Sequence, residues 1–398
     1  MAKPYRIAYL VSHPIPYQAA LLRYLAALPD IDLTVFFLSD ISVREYRDPG
    51  FRVHLEWDVG LLDGYSYVFL PAYGGNGRLS FWRPFVHGLG RHLRQDRFDA
   101  LWLHGWAHQA NLRALCIAKR RGLKVLLRGE SHLKDRPSRA SKRWLKQRVL
   151  PRFLNSVDAF LAIGSWNREF YLHYGVPSER IFMMPYAVDN DFFQRKAAEA
   201  EGRRESLRAQ LDLDPQRPLI LYCSKFLRRK RAGDLLEAYI RLSPDGRREP
   251  DPYLLFIGDG EERPRLERRV EDLGWSSVRF LGFRNQTEMP GYYQLCDVFV
   301  LPSECEPWGL VVNEVMSVGK AVIVSDQVGA GADLVEDGRN GFVVPVGDVA
   351  ALADRLGRLA TNPGLAARMG EESRRRIAQW DFEADIQGIR QALVSIRS

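Results

Sequence analysis

Residues 297–314 read DVFVLPSECEPWGLVVNE, an apolar strand-like run, a short polar loop and a glycine that opens a helix. The first turn of a helix leaves backbone N–H groups without partners and carries a partial positive charge, so it suits an anion such as a phosphate. Glu306 precedes the glycine, and Glu314 lies among apolar neighbours, where a carboxylate is costly unless hydrogen bonds are donated to it. Sugar hydroxyls can donate such bonds. The segment therefore predicts a site for a ligand that is both phosphate and sugar.

The bulk composition is that of a soluble globular protein. The chain has 398 residues, of which 46% are hydrophobic and 27% charged, and this length predicts two domains, each with its own core. It contains no apolar run of about 18 residues, and residues 1–20 lack the apolar region and cleavage site of a signal peptide. We therefore expect a cytoplasmic protein that does not span the membrane.

The four cysteines do not form a metal-binding or disulfide pattern. They are widely spaced, which predicts reduced, structural thiols and no metal site. They are Cys116, Cys223, Cys296 and Cys305.

The net charge of +8 is unevenly distributed. Residues 119–152 contain 13 Lys and Arg side chains against only Glu130 and Asp135. Within residues 138–153 these charges alternate with aromatic and aliphatic side chains, which is typical either of a solvated helix face or of an interfacial helix attracted to anionic lipid. The second interpretation predicts peripheral contact with an anionic membrane. No nucleic-acid recognition motif accompanies the charge, so we expect no nucleic-acid partner.

Apolar strand-like runs alternate with helical patterns along the whole chain, which favours α/β architecture with parallel sheets built from βαβ units. The runs in the first half are Tyr5–Val11, Leu33–Leu38, Ala100–Leu103, Val125–Leu127 and Ala159–Ile163. Those in the second half are Leu219–Cys223, Tyr253–Ile257, Val278–Leu281, Val298–Leu301, Ala321–Val324 and Phe342–Val344.

A polar segment separates the two sets of strands. Residues 194–218 are rich in charge and alanine and contain two prolines, so they predict a helix and linker. We therefore expect an N-terminal domain over residues 1–195 and a C-terminal domain over residues 196–375. Residues 376–398 predict a terminal helix that packs back onto one of the domains.

Basic residues follow the first strand of the second half. Lys225 and Lys230 lie just beyond the run Leu219–Cys223, and ligands of open parallel sheets bind outside the carboxyl ends of strands. Two lysines at this position can hold a diphosphate. The alternative is a solvated basic turn, but Glu306 and Gly309 follow the carboxyl end of another strand, which favours a binding site.

Polar residues also follow the strands of the first half. His13, His104 and the pair Glu130 and His132 each come after a predicted strand, so they are expected to share one edge of a sheet. Each histidine alone is more often structural than catalytic. The chain lacks a G-x-S-x-G nucleophile elbow and a phosphate-binding Walker loop, which excludes the common hydrolase-triad and ATPase classes.

Taken together, these motifs resemble the retaining nucleotide-sugar glycosyltransferases of family four. The specific matches are in the second half: the basic loop 224–230, the strand–turn segments 255–262 and 278–283, and the signature 301–319 with its two glutamates. Segments 159–165 and 184–189 resemble the end of the family's acceptor domain. The resemblance implies the GT-B fold, in which two Rossmann-like domains face a cleft.

The resemblance also implies roles for the site residues. Glu314 would accept both ribose hydroxyls, Glu306 would accept a hydroxyl of the donor sugar, and transfer would use no protein nucleophile. Glu306 and the two lysines would be the catalytic residues. The other donor-side residues would be Gly258, Phe283, Arg284, Gly309, Leu310 and Val311, and the acceptor-side candidates are His13, His104, Glu130 and His132.

The chain departs from the family's pattern in two places. Lys225 stands where the family commonly has arginine, and residues 13–18 replace a glycine-rich loop. The implied reaction is transfer of a sugar from a UDP- or GDP-sugar, without a metal ion, to a glycan or lipid-linked acceptor in cell-envelope polysaccharide or glycoconjugate synthesis. A nucleotide-sugar epimerase or hydrolase on the same fold is the alternative.

Overall fold

The computed structural model describes residues 3–48, 50–73, 79–94, 96–134, 140–243 and 251–397, without the side chains of 140–146. Its strands are β1 (Tyr5–Val11), β2 (Ile31–Phe37), β3 (Tyr46–Arg47), β4 (His54–Leu55), β5 (Ser66–Phe69), β6 (Ala72–Tyr73), β7 (Phe85–Val86), β8 (Ala100–His104), β9 (Lys124–Gly129), β10 (Ala159–Ala162), β11 (Ile181–Met183), β12 (Leu219–Cys223), β13 (Tyr253–Ile257), β14 (Val278–Gly282), β15 (Val298–Leu301), β16 (Ala321–Ser325) and β17 (Gly341–Val344).

Helices connect most of the sequential strands of the two large sheets, as parallel βαβ units require. They are α1 (Pro16–Ala26), α2 (Leu89–His92), α3 (Gln109–Arg120), α4 (Ala140–Asn155), α5 (Ser165–His173), α6 (Asn190–Glu201), α7 (Arg204–Gln210), α8 (Ala232–Ile240), α9 (Arg263–Leu273), α10 (Met289–Leu295), α11 (Leu310–Ser317), α12 (Gly329–Leu334), α13 (Val349–Ala360), α14 (Pro363–Ile377) and α15 (Phe382–Arg397).

The chain forms two compact units, and neither is continuous in sequence. The first unit contains Met1–Tyr46, Val59–Val188 and Asp381–Ser398, and the second contains Arg47–Asp58 and Asp189–Trp380. A short segment that precedes residue 59 therefore belongs with the second half of the chain. The boundary predicted near residue 195 falls inside α6, which the second unit contains whole.

The first unit is built on a parallel sheet. Its strand order among the described residues is β11-β10-β9-β8-β1-β2-β5. The chain leaves β1 in one direction to β2 and β5, and in the other to β8 and the strands that follow. The carboxyl ends of β1 and β8 therefore lie side by side at the point where the strand order reverses, which is where ligands of such sheets bind.

The second unit repeats this arrangement. Its strand order among the described residues is β14-β13-β12-β15-β16-β17, and the pairs are again parallel. The order reverses between β12 and β15, which pair through Ile220↔Val298 and Leu221↔Phe299. Both strands are buried along nearly their whole length, so their apolar side chains form the core and leave the loops at their ends for function.

The α/β alternation predicted from the sequence is confirmed. Each predicted apolar run lies on a strand of one of the two large sheets, with ends that differ by two residues or fewer. The prediction missed strand β11 and the elements between β2 and β8. These are short, and the edge strand β5 has exposed or half-exposed residues throughout, so no apolar run marks it.

The C-terminal segment differs from the expected single helix. Residues 376 and 377 end α14, and α15 begins at Phe382 because the Asp381 side chain accepts a hydrogen bond from the Ala384 N–H (2.9 Å) and caps it. Helix α15 belongs to the first unit. It packs so closely on β11 that a Cβ at Gly388 would collide with the Met183 carbonyl.

Two ion pairs attach α15 to the first unit. Arg128 contacts Asp385 at 2.7 Å, and both side chains are nearly inaccessible to water, at 3% and 0% exposure. Arg390 contacts Asp30 at 2.8 Å, but these side chains are about 40% exposed. Removing one partner of a buried pair costs far more stability than removing one partner of an exposed pair, because the charge that remains is left without solvent.

The basic stretch predicted as a membrane contact falls on α4 only in part. Residues 138 and 139 lie outside the described residues, and the helix itself spans Ala140–Asn155. Leu150 and Leu154 are buried in the core of the first unit, whereas Val149 is exposed. Within the described part of the chain, no helix has the length and apolar character needed to span a membrane.

We expect Asp385→Ala to lower the stability of the protein by about 3 kcal/mol, because Arg128 would remain buried without its partner. Arg390→Gln, which breaks the exposed pair of the same helix, should lower it by less than about 1 kcal/mol. Thermal and urea unfolding of the two variants measure this difference. Equal effects would show that α15 is not held by the buried pair.

Candidate functional site

Two loops of the second unit meet at the reversal of its strand order. One follows β12 and contains Lys225 and Lys230, and the other follows β15 and contains Glu306 and Gly309. Because β12 and β15 are paired neighbours, their carboxyl ends open onto the same side of the sheet. The structure thus brings these sequence-predicted residues to one place.

Arg229 ties the two loops together. Its guanidinium donates to the Cys305 carbonyl at 2.9 Å, and the Glu304 N–H donates to the Arg229 carbonyl at 2.7 Å. Arg229 therefore has a structural role in addition to its contribution of positive charge.

Lys230 and Glu306 form an ion pair at the centre of the site. Their side chains are 11% and 13% exposed, so both charges lie where water hardly reaches them. Burial lowers the pKa of Lys230, and the positive charges of Arg229 and Lys225 lower it further, whereas the Glu306 carboxylate favours the ammonium form. An incoming anion would meet a cation that is already placed and poorly solvated.

Helix α11 begins beside this pair. Its N-cap, Gly309, has φ of +99°, and a Cβ there would lie 3.1 Å from Leu301 and 3.2 Å from the Glu306 side chain. A larger residue would therefore be strained and would push on Glu306. The first turn begins at Leu310. The N–H groups of Leu310 and Val311 lack carbonyl partners within the helix and suit a phosphate.

A second loop braces the segment that carries Glu306. The Gly329 N–H donates to the Glu306 carbonyl at 3.0 Å, and the Ala330 N–H donates to the Trp308 carbonyl at 2.9 Å. A Cβ at Gly329 would collide with the Pro307 carbonyl, so a glycine is required for this close approach. The glycine-rich segment after β16 thus orients Glu306 and the start of α11.

Glu314 lies about one turn after the start of α11. The Tyr293 hydroxyl donates a hydrogen bond to its carboxylate, and the Gln286 side chain is a second partner. Burial raises the pKa of Glu314 to about 7, while Tyr293 and Gln286 act to lower it. A carboxylate in this position has strong capacity to accept hydrogen bonds from hydroxyl groups of a ligand.

The residues expected near a nucleotide base follow β14. Phe283 packs against Phe51 and Trp57, with ring centroids 5.1 and 6.0 Å apart. Arg284 contacts Glu288 at 3.9 Å. Both residues follow the carboxyl end of β14, two strands from β12, so they lie at the same edge of the sheet as the two lysines.

Gly258 shapes the lysine loop. Its φ is +124°, and a Cβ there would collide with the Ser224 carbonyl. Its N–H donates to the Gly282 carbonyl at 2.8 Å, and the Phe226 N–H donates to the Asp259 carbonyl at 2.8 Å. The turn after β13 therefore supports the backbone on both sides of Lys225.

Lys225 has a carboxylate partner from a distant part of the sequence. Its ammonium lies 2.9 and 3.0 Å from the two oxygens of Asp48 and 4.7 Å from the centre of the Phe51 ring. All three residues belong to the second unit.

In the first unit, His104 ends β8 and is enclosed by polar groups. The Tyr9 hydroxyl lies 2.8 Å from its Nδ1, and the Gln18 amide lies 3.1 Å from its Nε2. Burial, and to a smaller extent the charges of Arg128 and His13, together lower the pKa of His104 to about 3. The imidazole is therefore neutral at physiological pH, so it can accept or pass on a hydrogen bond but does not act as a cation.

A chain of hydrogen bonds links His104 to Glu130. The Gln18 amide donates to the Tyr17 hydroxyl at 3.3 Å, which lies 3.5 Å from the Tyr186 hydroxyl. Tyr186 in turn donates to Glu130 at 2.5 Å. Two of the acceptor-side candidates thus share one polar network at the carboxyl ends of β8 and β9.

The other two candidates have separate surroundings. His13 follows β1, and the Ser12 hydroxyl lies 2.9 Å from its Nδ1. His132 is buried beside Trp166, with ring centroids 5.7 Å apart.

Several residues of these sites escaped the sequence prediction. Gln18 had a signal, because it lies in the segment that departs from the family's glycine-rich loop. The others are ordinary polar residues of a strand, a helix or remote loops, and only the fold brings them to the site. They are Tyr9, Asp48, Tyr186, Gln286 and Tyr293.

Two family models match the chain. One, described as a glycosyl transferase 4-like domain, matches residues 14–187, and the other, glycosyl transferases group 1, matches residues 203–376. Together they extend over both parallel sheets except strand β1.

Curated proteins with similar sequences are glycosyltransferases. The chain is 33% identical over 199 residues to an alpha-D-kanosaminyltransferase of Streptomyces kanamyceticus, a match that covers 50% of each chain. It is 33% identical over 190 residues to the lipopolysaccharide core biosynthesis glycosyltransferase LpsE of Rhizobium meliloti, covering 47% of this chain and 53% of that protein. The matched region thus spans about half the length of these relatives. Neither relative is named as an epimerase or hydrolase, so that alternative has no support here.

Among solved structures, the fold is similar to that of Alr3699/HepE from Anabaena in complex with UDP. The TM-score is 0.73 at 19% identity, covering 98% of this chain and 100% of that one. At this identity the likeness concerns the fold alone. It confirms the GT-B type of architecture, with two parallel-sheet α/β units, that the sequence predicts.

We expect Glu314→Gln to stabilise the unliganded protein by about 2 kcal/mol at pH 8, with Glu304→Gln, on an exposed side chain, as control. The folded-state pKa of Glu314 is raised, so its contribution to stability is complete below about pH 4.5 and is lost as the pH rises through about 7. The gain from Gln should therefore shrink as the pH falls toward 5. Thermal unfolding across this range measures it, and a loss of stability at pH 8 would contradict the prediction.

Proposed function

This chain belongs to the glycosyltransferases of family four, and we propose that it transfers a sugar from a nucleoside diphosphate to a hydroxyl acceptor with retention of configuration. The observation that carries the proposal is the joint placement of the Lys230–Glu306 pair, the start of α11 and the Glu314 carboxylate at the strand-order reversal of the second unit. The cation and the anion-binding helix end match the diphosphate of a nucleotide sugar, and the two carboxylates match the hydroxyl groups of its ribose and its sugar.

The diphosphate is assigned to the lysines and the helix start. The N–H groups of Gly309, Leu310 and Val311 would contact its oxygens, and Lys225 and Lys230 would balance its charge. As the sugar leaves, negative charge grows on the departing phosphate, and fixed donors in a poorly hydrated site stabilise that charge without reorganising. These groups supply the positive charge that a metal ion provides in other enzymes, so we propose that transfer needs no metal.

The two glutamates are assigned to hydroxyl groups. Glu314 would accept both ribose hydroxyls, and the Tyr293 and Gln286 contacts would hold its carboxylate in place. Glu306 would accept a hydroxyl of the donor sugar while it remains paired with Lys230. The base would contact the main chain around Phe283 and Arg284. Gly258 would support this loop through its hydrogen bond to the Gly282 carbonyl. Neither glutamate acts as a nucleophile in this scheme.

The acceptor is assigned to the first unit. The neutral His104 and the Glu130 carboxylate, joined through the tyrosines, offer hydroxyl groups both donors and acceptors of hydrogen bonds. We propose a glycan or lipid-linked acceptor of cell-envelope polysaccharide or glycoconjugate synthesis, because one relative is named a lipopolysaccharide core biosynthesis glycosyltransferase. The basic stretch 138–153 would then contact anionic membrane from the cytoplasmic side.

We expect either UDP or GDP, and not ADP, to raise the melting temperature, with EDTA present throughout. Lys230→Gln should weaken binding of the stabilising nucleotide by roughly ten- to hundredfold, because it removes a charge-assisted bond of about 1.5–3 kcal/mol. Arg228→Gln, in the same loop but with a side chain that is 86% exposed, is the matched control and should change little.

Calorimetric titration of the two variants measures the difference. Extracts are then incubated with the selected sugar donor. Mass spectrometry of these extracts identifies products that are heavier by one sugar residue. Failure of every nucleoside diphosphate to bind, or equal losses in the two variants, would overturn the proposed donor site.

A further inference from the structure

Residues Arg47–Asp58, here named the strap and described without residue 49, belong to the second unit although they precede residue 59. Strands β3 and β4 make the strap a short hairpin, in which the Asp48 N–H donates to the Val53 carbonyl at 3.0 Å. Its far end is fixed to the loop after β14. There the Asn285 amide donates to the Glu56 carbonyl at 2.6 Å, and the Thr287 N–H donates to Asp58 at 3.1 Å.

Aromatic contacts fix the middle of the strap at the same place. Phe51 and Trp57 pack edge-on against Phe283, with ring centroids 5.1 and 6.0 Å from that ring. Such pairs stabilise a contact beyond the area they bury. The strap therefore lies against the residue to which the proposed function assigns the base.

The strap delivers a carboxylate to Lys225. Both oxygens of Asp48 lie within 3.0 Å of the Lys225 ammonium, and Oδ1 also accepts the N–H groups of Gly50 and Phe51 at 2.8 Å. Asp48 is 8% exposed. Burial alone would raise its pKa, but the Phe51 N–H and Lys225 prevail and lower it, so the carboxylate is ionised at neutral pH.

A donor diphosphate needs the same ammonium. Lys225 is one of the two lysines assigned to it, and a diphosphate placed on Lys225 would face the Asp48 carboxylate at short range. Like charges in a partly desolvated site repel one another strongly. The diphosphate and Asp48 are therefore alternatives for Lys225.

We propose that Asp48 is an internal substitute for the diphosphate, which holds Lys225 in the empty site, yields it to the donor and takes it back as the nucleotide leaves. This inference rests on the proposed function, because it assumes that Lys225 binds the diphosphate. In this scheme Asp48 is a positioning residue that weakens nucleotide binding and speeds product release.

The charge of Asp48 can be removed without removing its turn. In Asp48→Asn, the amide oxygen still accepts the N–H groups of Gly50 and Phe51, and Asp48→Ser keeps a smaller acceptor should the first variant fold poorly. Arg52→Gln is the matched control. Arg52 lies in the same strap, but it pairs with Glu261, at 3.7 Å, and not with Lys225.

The experiment is calorimetric titration of wild type and variants with UDP and GDP, and with uridine and guanosine. Asp48→Asn should bind the cognate diphosphate about fivefold more tightly and its nucleoside with unchanged affinity. In steady-state transfer, the donor KM should fall and inhibition by the nucleoside diphosphate product should strengthen. Arg52→Gln should behave as wild type, and the effect of Asp48→Asn should vanish in a Lys225→Ala background.

The outcomes separate this inference from the proposed function. If a diphosphate binds wild type but Asp48→Asn and Asp48→Ser bind it equally or more weakly, Asp48 supports the site and the inference is overturned while the donor site stands. Tighter binding of the nucleoside as well would also overturn it, since the effect would then not involve the phosphates. If no diphosphate binds, both proposals fail.

Discussion

An ammonium and a carboxylate face each other at the ends of two neighbouring strands, with little water around either. The Lys230–Glu306 pair occupies the reversal of strand order in the second unit, and the surrounding backbone is arranged to keep it there. Arg229 joins the two loops that carry the charges, and Gly329 permits the close approach that braces Glu306. Buried pairs of this kind are often no more stabilising than apolar residues of the same volume. Their presence here is better explained by a ligand-binding role, because the ammonium can bind an anion and the carboxylate can accept hydrogen bonds from hydroxyl groups.

The two units differ in the chemistry that they offer. The second unit presents charges: lysines, a helix start and two carboxylates with partners already in place. The first unit presents a mostly neutral network, in which His104 is uncharged because burial and nearby positive charges disfavour its proton. Charged groups would suit the departing diphosphate of the proposed reaction, whereas neutral donors and acceptors would suit hydroxyl groups, which carry no net charge. This contrast agrees with a division of labour between donor and acceptor.

The sequence predicts the parts of this arrangement that depend on local pattern. Apolar runs mark the central strands, and the placement of Lys225, Lys230 and Glu306 after those runs predicts a common site, because parallel strands end at one edge. The spacing within 297–314 likewise predicts the helix start at Gly309 and the position of Glu314. Gly258 could be noticed but not interpreted, since its close contact with Ser224 depends on the neighbouring strand.

The parts that escaped prediction depend on contacts between distant segments. Asp48 reaches Lys225 only because the strap folds onto the second unit, and Tyr293 reaches Glu314 only because α10 packs beside α11. No periodicity or motif marks such residues in one sequence. The network that joins His104 and Glu130 is hidden for the same reason, because the residues that link these two come from separate segments and each is unremarkable alone.

A crystal structure of the protein with the nucleoside diphosphate that it binds would test the central claim most directly. The account predicts phosphate oxygens within hydrogen-bonding distance of the N–H groups at the start of α11 and of Lys230, and ribose hydroxyls on the Glu314 carboxylate. Lys225 should then contact the diphosphate rather than Asp48. A nucleotide bound elsewhere, with the Lys230–Glu306 pair and Glu314 untouched, would contradict the account.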